Sequence, residues 1–309
     1  MRRLLPILLG LLFIILIVAV YLKPLVLALA QKQLRTALGA QTVSIQDCRL
    51  HILHEAVFFN VEVKKPGQYE FKAAEVDIDY NVWSLLRKQV VQVSLRKVAV
   101  KVPVSGHDLT LDNGSITVNL QGVPGDLSIG KLQYHKFKIE NVTGRTKMEG
   151  TALVLDEISG QILNGLVQGG VAVKIDKSPL YLADLKFIDV DLARFVEDFD
   201  LKEKMQMAGL LTGEFKINGH GVTLKILNGN FATGSSGGVL TVKDASFLQK
   251  MARNTNQPLN IVVDSLKDYH YNTGGVKLHL DQGNLVLDMA LQGEAGKRKI
   301  TITLHDFNL

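Results

Sequence analysis

A single cysteine, Cys48, leaves no intramolecular disulfide and no thiol pair for metal or redox chemistry. A chain of 309 residues can bury enough core to fold without such a staple. Aromatic side chains are scarce, at 6% with one tryptophan, and basic residues gather only in short, separated groups: Lys64-Lys65, Arg87-Lys88, Arg96-Lys97 and Lys297-Arg298-Lys299. A nucleic-acid surface needs a dense basic stripe interleaved with stacking rings, so the net charge of +5 predicts no nucleic-acid partner. Charged residues make up 21% against 47% hydrophobic, which excludes general disorder and leaves much apolar surface to hide.

Catalytic spacings are missing as well. The tightest histidine pair is in His51-Ile52-Leu53-His54, but the segment reads as extended, and positions three apart on a strand point to opposite faces. His107, His135, His220, His270, His279 and His305 are scattered over strands and turns. Gly234-Ser235-Ser236-Gly237-Gly238 lacks the Gly-x-Ser-x-Gly form of a nucleophile elbow and leads into a strand from Val239 to Val242, so it reads as a hairpin loop. Gly219-His220-Gly221 has neither the third glycine nor the following helix of a dinucleotide site. Asp77 with Asp79, and Asp189 with Asp191, read as wet-face strand charges and a helix cap. The expectation is a protein that is not an enzyme, with no catalytic residue, no metal and no cofactor.

One long hydrophobic run is present. Leu4 to Leu22 carries no charge over 19 residues. At about 1.5 Å per residue that is roughly 28 Å, the thickness of a bilayer core. Residues 1–23 are therefore expected to form a single transmembrane anchor. Arg2 and Arg3 place its N-terminus in the cytoplasm and the bulk of the chain on the far side. A cleaved signal peptide is the competing reading, since Ala28-Leu29-Ala30 before Gln31 has the small-x-small form; the length of the run and Pro24 argue against it. After Pro24, Leu27, Ala30, Leu34 and Ala37 oppose Lys32 and Arg35 until Gly39. That pattern predicts a juxtamembrane helix over 24–40 with Pro24 at its first position.

From Thr42 the period becomes two. Glu75-Val76-Asp77-Ile78-Asp79-Tyr80, then Val91, Val93 and Leu95, then Val98, Val100, Val102 and Val104 alternate apolar with polar side chains. The pattern recurs at Ile116-Val118-Leu120, Val171-Val173-Ile175, Phe215-Ile217, Leu278-Leu280 and Ile300-Ile302-Leu304. Turn formers separate the runs, among them Asp112-Asn113-Gly114, Pro124-Gly125-Asp126, Asn164-Gly165, Asn218-Gly219, Asn228-Gly229 and Asp281-Gln282-Gly283. Three helical interruptions are expected: Val82 to Lys88, Asp191 to Met205 and Asp244 to Asn254, with Asp191 and Asp244 as caps. The fold class is thus mainly β: a long antiparallel meander with a few short helices, dry on one face. Periodicity alone leaves two outcomes open, a filled core between closed sheets or a curved sheet whose dry face something else must fill.

The order of these features resembles the AsmA-like proteins of diderm bacterial envelopes, and among them the YdbH-type proteins, whose C-terminal part was named a dicarboxylate transport domain. The resemblance rests on the anchor and on Glu75 to Val104 with Trp83-Ser84-Leu85-Leu86 between strands. It rests above all on Leu185-Lys186-Phe187-Ile188-Asp189-Val190-Asp191-Leu192-Ala193-Arg194-Phe195, then Gly209-Leu210-Leu211-Thr212-Gly213-Glu214-Phe215-Lys216-Ile217-Asn218-Gly219, then Gly237-Gly238-Val239-Leu240.

That resemblance implies a curved β-groove lined by lipid and divided into 41–159 and a C-terminal module over 160–309. It also implies an inner-membrane-anchored periplasmic protein that moves phospholipid between membranes. A dicarboxylate carrier is excluded, because one transmembrane helix encloses no path across a bilayer. The lining candidates are Val76, Ile78, Val91, Val93, Leu95, Val98, Val100, Phe215 and Ile217, any of which could equally be core. About fifteen strands at about 4.8 Å give roughly 70 Å of sheet. That is short for bridging a periplasm, so copies of the chain or an outer-membrane partner adding a strand are expected partners, beside phospholipid and the inner membrane. The alternative is an envelope scaffold, non-lipid-carrying, whose apolar face is fully self-covered.

Overall fold

The computed structural model describes residues 22–51, 54–81, 90–104, 106–174, 179–221, 223–255 and 258–304. It opens on a helix, α1 (22–38), followed by β1 (Thr42–His51), β2 (Glu55–Lys65), β3 (Tyr69–Asp79), β4 (Gln92–Val104), β5 (His107–Asn119), β6 (Gly125–Tyr134), β7 (Phe137–Glu149), β8 (Ala152–Ile162), β9 (Gly165–Lys174) and β10 (Leu180–Asp191). Then come α2 (Leu192–Asp198), β11 (Met205–Ala208), β12 (Leu210–His220), β13 (Thr223–Thr233), β14 (Gly238–Val242), α3 (Ala245–Thr255), α4 (Leu259–Leu266), β15 (Tyr269–Tyr271), β16 (Thr273–Asp281), β17 (Asn284–Gly293) and β18 (Gly296–Leu304).

Fifteen strands form one antiparallel sheet in the order β1 to β10, β12, β13, β16, β17, β18, and a second sheet joins β11, β14 and β15. The predicted mainly-β architecture and the antiparallel meander are therefore present. The anchor expected over 1–23 lies, except for Leu22 and Lys23, outside the described residues. Among those described, no helix is long and apolar enough to cross a membrane. Because α1 already includes Leu22 and Lys23, Pro24 does not open it.

The strands are kinked at intervals. Asn60, Lys97, Asn113, Asn141, Glu157 and Asp189 have φ between 50° and 53° inside their strands. The register shifts at or beside most of them, as between Arg96 and Val98, Glu140 and Thr143, Leu155 and Ile158, and Phe187 and Val190. Each such bulge bends and twists its strand while returning the apolar side chains to the same face. Asn113-Gly114 is therefore not a turn between strands but a bulge within β5, and Asn218-Gly219 and Asn228-Gly229 likewise lie inside β12 and β13. The sheet curls sharply where β6 begins. There Thr146 on β7 donates its hydroxyl to the Thr117 carbonyl on β5, across the intervening strand. This contact forms on the side of the sheet that carries Leu127, Ile129 and Val142, so the apolar face is the concave one.

Helices close both ends. On α1, Val26, Leu27, Ala30 and Leu34 pack on the core of Val43, Ile45, Cys48, Phe58, Val61 and Val63. At the other end, Leu248 and Ala252 of α3 and Val262 and Leu266 of α4 join Leu240, Val242, Tyr269 and Tyr271 of the small sheet and Leu291 and Ile300 of the large one. The loop over 234–237 does not make a hairpin. It carries the chain from β13 into this cap, and β13 pairs instead with β16.

The expected helix from Asp191 is shorter than predicted. Asp191 caps it, accepting from the backbone N–H groups of Ala193 and Arg194 at 2.8 and 3.3 Å. Asp200, at φ 54°, then turns the chain out, so Met205 already belongs to β11. Helix α4 went unforeseen, and the helix expected over Val82 to Lys88 lies outside the described residues.

Asp244 caps α3: its Oδ1 accepts from the Ser246 hydroxyl at 2.6 Å and from the Ser246 and Phe247 N–H groups at 2.9 and 3.1 Å. The Ser246 hydroxyl first, and the backbone N–H of Phe247 next, hold this carboxyl below its ordinary value. With the folded pKa lowered, the contribution is complete above the ordinary carboxylate range and disappears as pH falls through the lowered value. Asp244→Asn should therefore flatten the acid limb of the stability curve of the C-terminal cap, followed by helical circular dichroism between neutral and acid pH. An acid limb identical to the parent's would show that the cap is not what the acid titrates.

Candidate functional site

The concave face can be read row by row, because residues paired across antiparallel strands share a face. One row runs Val63, Phe71, Val100, Leu111, Leu132, Ile139 from β2 to β7. The next to carry side chains of this size runs Phe58, Val76, Leu95, Ile116, Leu127. Farther on, Leu155, Val171, Ala183, Ile217 and Leu227 align from β8 to β13. The opposite face is charged, with Arg96 paired to Glu75 at 2.8 Å and Lys216 to Asp184 at 3.1 Å. Such exposed pairs contribute little to stability, but they keep that face in water.

Of the lining candidates, Val76, Ile78, Val93, Leu95, Val98, Val100, Phe215 and Ile217 all fall on this concave face. Val91 precedes β4, where its N–H donates to the Asp79 carbonyl at 2.9 Å. Their surroundings differ. Val76 and Ile78 pack into the N-terminal core shared with α1. Val98 is buried at 6% exposure. Val93, Leu95, Val100, Phe215 and Ile217 are half-buried and belong to neither helix-covered core. The same holds for Leu111, Ile116, Val118, Leu132, Leu153, Leu155, Val171 and Val173, which the candidate set omitted. Their alternation was visible; what singles them out is that no described helix covers them, which periodicity does not encode.

Glycines on this face leave room for rings. Gly213 lies opposite both Phe187 and Phe231, Gly229 opposite Phe215, and Gly219 opposite Tyr181. The rings use that space: Phe187 and Phe215 are 6.2 Å apart by centroid, and Phe187 and Phe231 5.8 Å. Burial pushes the Tyr181 hydroxyl above its ordinary pKa, so it stays neutral on a dry surface. Near the rim, Phe199 beyond α2 meets Phe137 edge-on at 4.5 Å, and Lys136 holds Asp200 at 2.6 Å. The middle of the sheet is thus an apolar trough with a helical cap at each end, and the described charged pairs of its strands lie on its outside.

The expectation that His51 and His54 point apart is not met. They flank the β1–β2 turn, which stacks their rings with centroids 5.3 Å apart. A turn, unlike a strand, brings positions three apart together.

The family model described as YdbH-like, "Intermembrane phospholipid transport protein YdbH", matches residues 98–299, from β4 to β18. The match begins well before the boundary expected at 160. No curated protein and no solved structure matches the chain.

Proposed function

Since the chain belongs to the YdbH-like family of intermembrane phospholipid transport proteins, we propose that its concave face carries phospholipid by holding the acyl chains along the uncovered rows of β4 to β13. The observation that supports this reading is the pairing of a continuous apolar face with half-buried side chains that no described helix covers. Each methylene moved out of water onto such a surface gains about 0.8 kcal/mol, which along a tail offsets much of the cost of leaving the bilayer. Headgroups stay at the open rim, in water, because among the described residues the rows of the trough offer no charged partner.

In this reading residues 1–23 hold the chain in the inner membrane and the sheet stands in the periplasm. With fifteen strands and neighbours about 4.8 Å apart, the sheet extends roughly 67 Å along the trough. Continuity across the envelope is then supplied by a strand added at a free edge, β1 or β18, from another copy or an outer-membrane partner. A scaffold that carries no lipid is the alternative, and its face would have to be self-covered.

The test is native mass spectrometry with lipid extraction on residues 22–309 produced in a bacterial periplasm. The fragment must keep α1, since a start at residue 40 strips Val26, Leu27, Ala30 and Leu34 from the N-terminal core. Near-stoichiometric phospholipid is expected. A stable, lipid-free domain would favour the scaffold.

A further inference from the structure

At the end of the sheet where β1 turns into β2, donor atoms converge. The His54 N–H donates to the His51 carbonyl at 3.0 Å, and the two imidazoles lie 9° from parallel. His51 Nδ1 is 2.7 Å from Glu55 Oε2. One nitrogen from each histidine and one oxygen of Glu55 lie within 4.8 Å of one another, and the Glu55 carboxylate stands in the same relation to Asp77 and Asp79. Glu55 faces His51 on one side and Asp79 on the other in the sheet register, so the cluster draws on β1, β2 and β3. Tyr80 steadies it, its hydroxyl reaching the carbonyls of both His51 and Glu55 at 3.2 Å.

Among the described residues, three carboxylates gather while the nearby Arg96 is paired to Glu75 at 2.8 Å, and Asp79 receives the Gln92 amide at 3.3 Å. Asp77 Oδ1 is buried with no hydrogen-bond partner. A buried acceptor among other acceptors, beside two imidazoles, is an arrangement that a cation resolves.

We propose that this cluster binds one divalent transition ion of the zinc class through His51, His54 and Glu55, with the Asp77 and Asp79 carboxylates beside Glu55 adding negative charge. Nitrogen donors select zinc-like ions over calcium and magnesium, which take oxygen sets. The ion would join β1 to β2, and β1 is the edge strand of the sheet, paired on one side only. The site lies on the charged side of the sheet, so it stands or falls independently of the trough.

The experiment is calorimetric titration of zinc chloride into the full chain, purified in detergent and stripped with a chelator, with calcium chloride in parallel. One zinc per chain is expected, with Kd below about 10 µM, and His51→Ala or His54→Ala should each weaken it at least about 10-fold. His54→Gln, which keeps a polar side chain without an imidazole nitrogen, should weaken it equally and guards against loss of the turn. Zinc binding weaker than about 100 µM, binding unchanged in His54→Gln, or calcium bound as tightly as zinc would each overturn the assignment.

Discussion

Val93→Asp combined with Val100→Asp is expected to cut co-purifying phospholipid at least about 10-fold while the domain remains folded. Both side chains are half-buried, and both stand in the uncovered part of the concave face: Val93 between Ile78 and Val118, Val100 between Phe71 and Leu111. In the empty trough water reaches them, so two carboxylates are tolerated, and the far-ultraviolet circular dichroism and urea midpoint should stay near those of the parent. Once acyl chains fill the trough, the same carboxylates must be dehydrated against hydrocarbon, at several kcal/mol each even after relaxation. Since about 1.4 kcal/mol is a factor of ten in affinity, a 10-fold loss is the modest end of the expectation.

The comparison variant is Lys138→Asp. Lys138 is exposed, and it sits beside Ile139 on the same strand but on the opposite face. Alone it shifts the net charge by as much as the two valine substitutions together, without touching the trough, and lipid retention should be unaffected. If the double variant folds like the parent and still retains lipid like the parent, the concave face is not where the lipid lies. Val98 is unsuitable for this purpose, being buried at 6% exposure, where a carboxylate would unfold the sheet and report nothing about lipid.

Much of this face was legible in the chain. Val93, Leu95, Val98 and Val100 alternate with Ser94, Arg96, Lys97 and Ala99, and although Lys97 breaks the strict period, the bulge it forms restores the face. Asp191 and Asp244 announced their helices because a carboxylate at that position has a defined partner in the first turn. Helix α4 was not legible for a physical reason: Leu259-Asn260-Ile261-Val262-Val263-Asp264-Ser265-Leu266 is short and β-branched, the composition of a strand. It is helical because Val262 and Leu266 are buried in the cap, a tertiary demand that local propensity does not carry. The same limit hid the zinc-class cluster, in which the His54-to-His51 backbone hydrogen bond and the register of β3 jointly place groups more than twenty residues apart. Curvature came only from the family resemblance and not from the alternation, since a meander with one dry face can lie open, close into a barrel or curl into a trough with nearly the same pattern.

What sets the curl can be tested at one residue. Gly125→Val is expected to destabilise the domain by about 2 to 6 kcal/mol. Gly125 opens β6 opposite Thr146, and a Cβ there would overlap the Thr117 carbonyl oxygen and crowd the Thr146 hydroxyl. Only a residue without a side chain lets β7 fold over β6 until that hydroxyl reaches β5. Thr146 is fully buried, so a valine that wedges the strands apart both overpacks the bend and strands a buried donor, two costs of about 1 to 3 kcal/mol each. Gly234→Ala is the matched control: its Cβ would meet nothing nearer than 3.9 Å, and an effect within about 0.5 kcal/mol is expected from urea unfolding. If Gly125→Val leaves the urea midpoint unchanged, the bend is not held at this glycine. If it lowers the midpoint while the surviving folded fraction also loses lipid, then curvature, and not the apolar rows alone, makes the trough a place for an acyl chain.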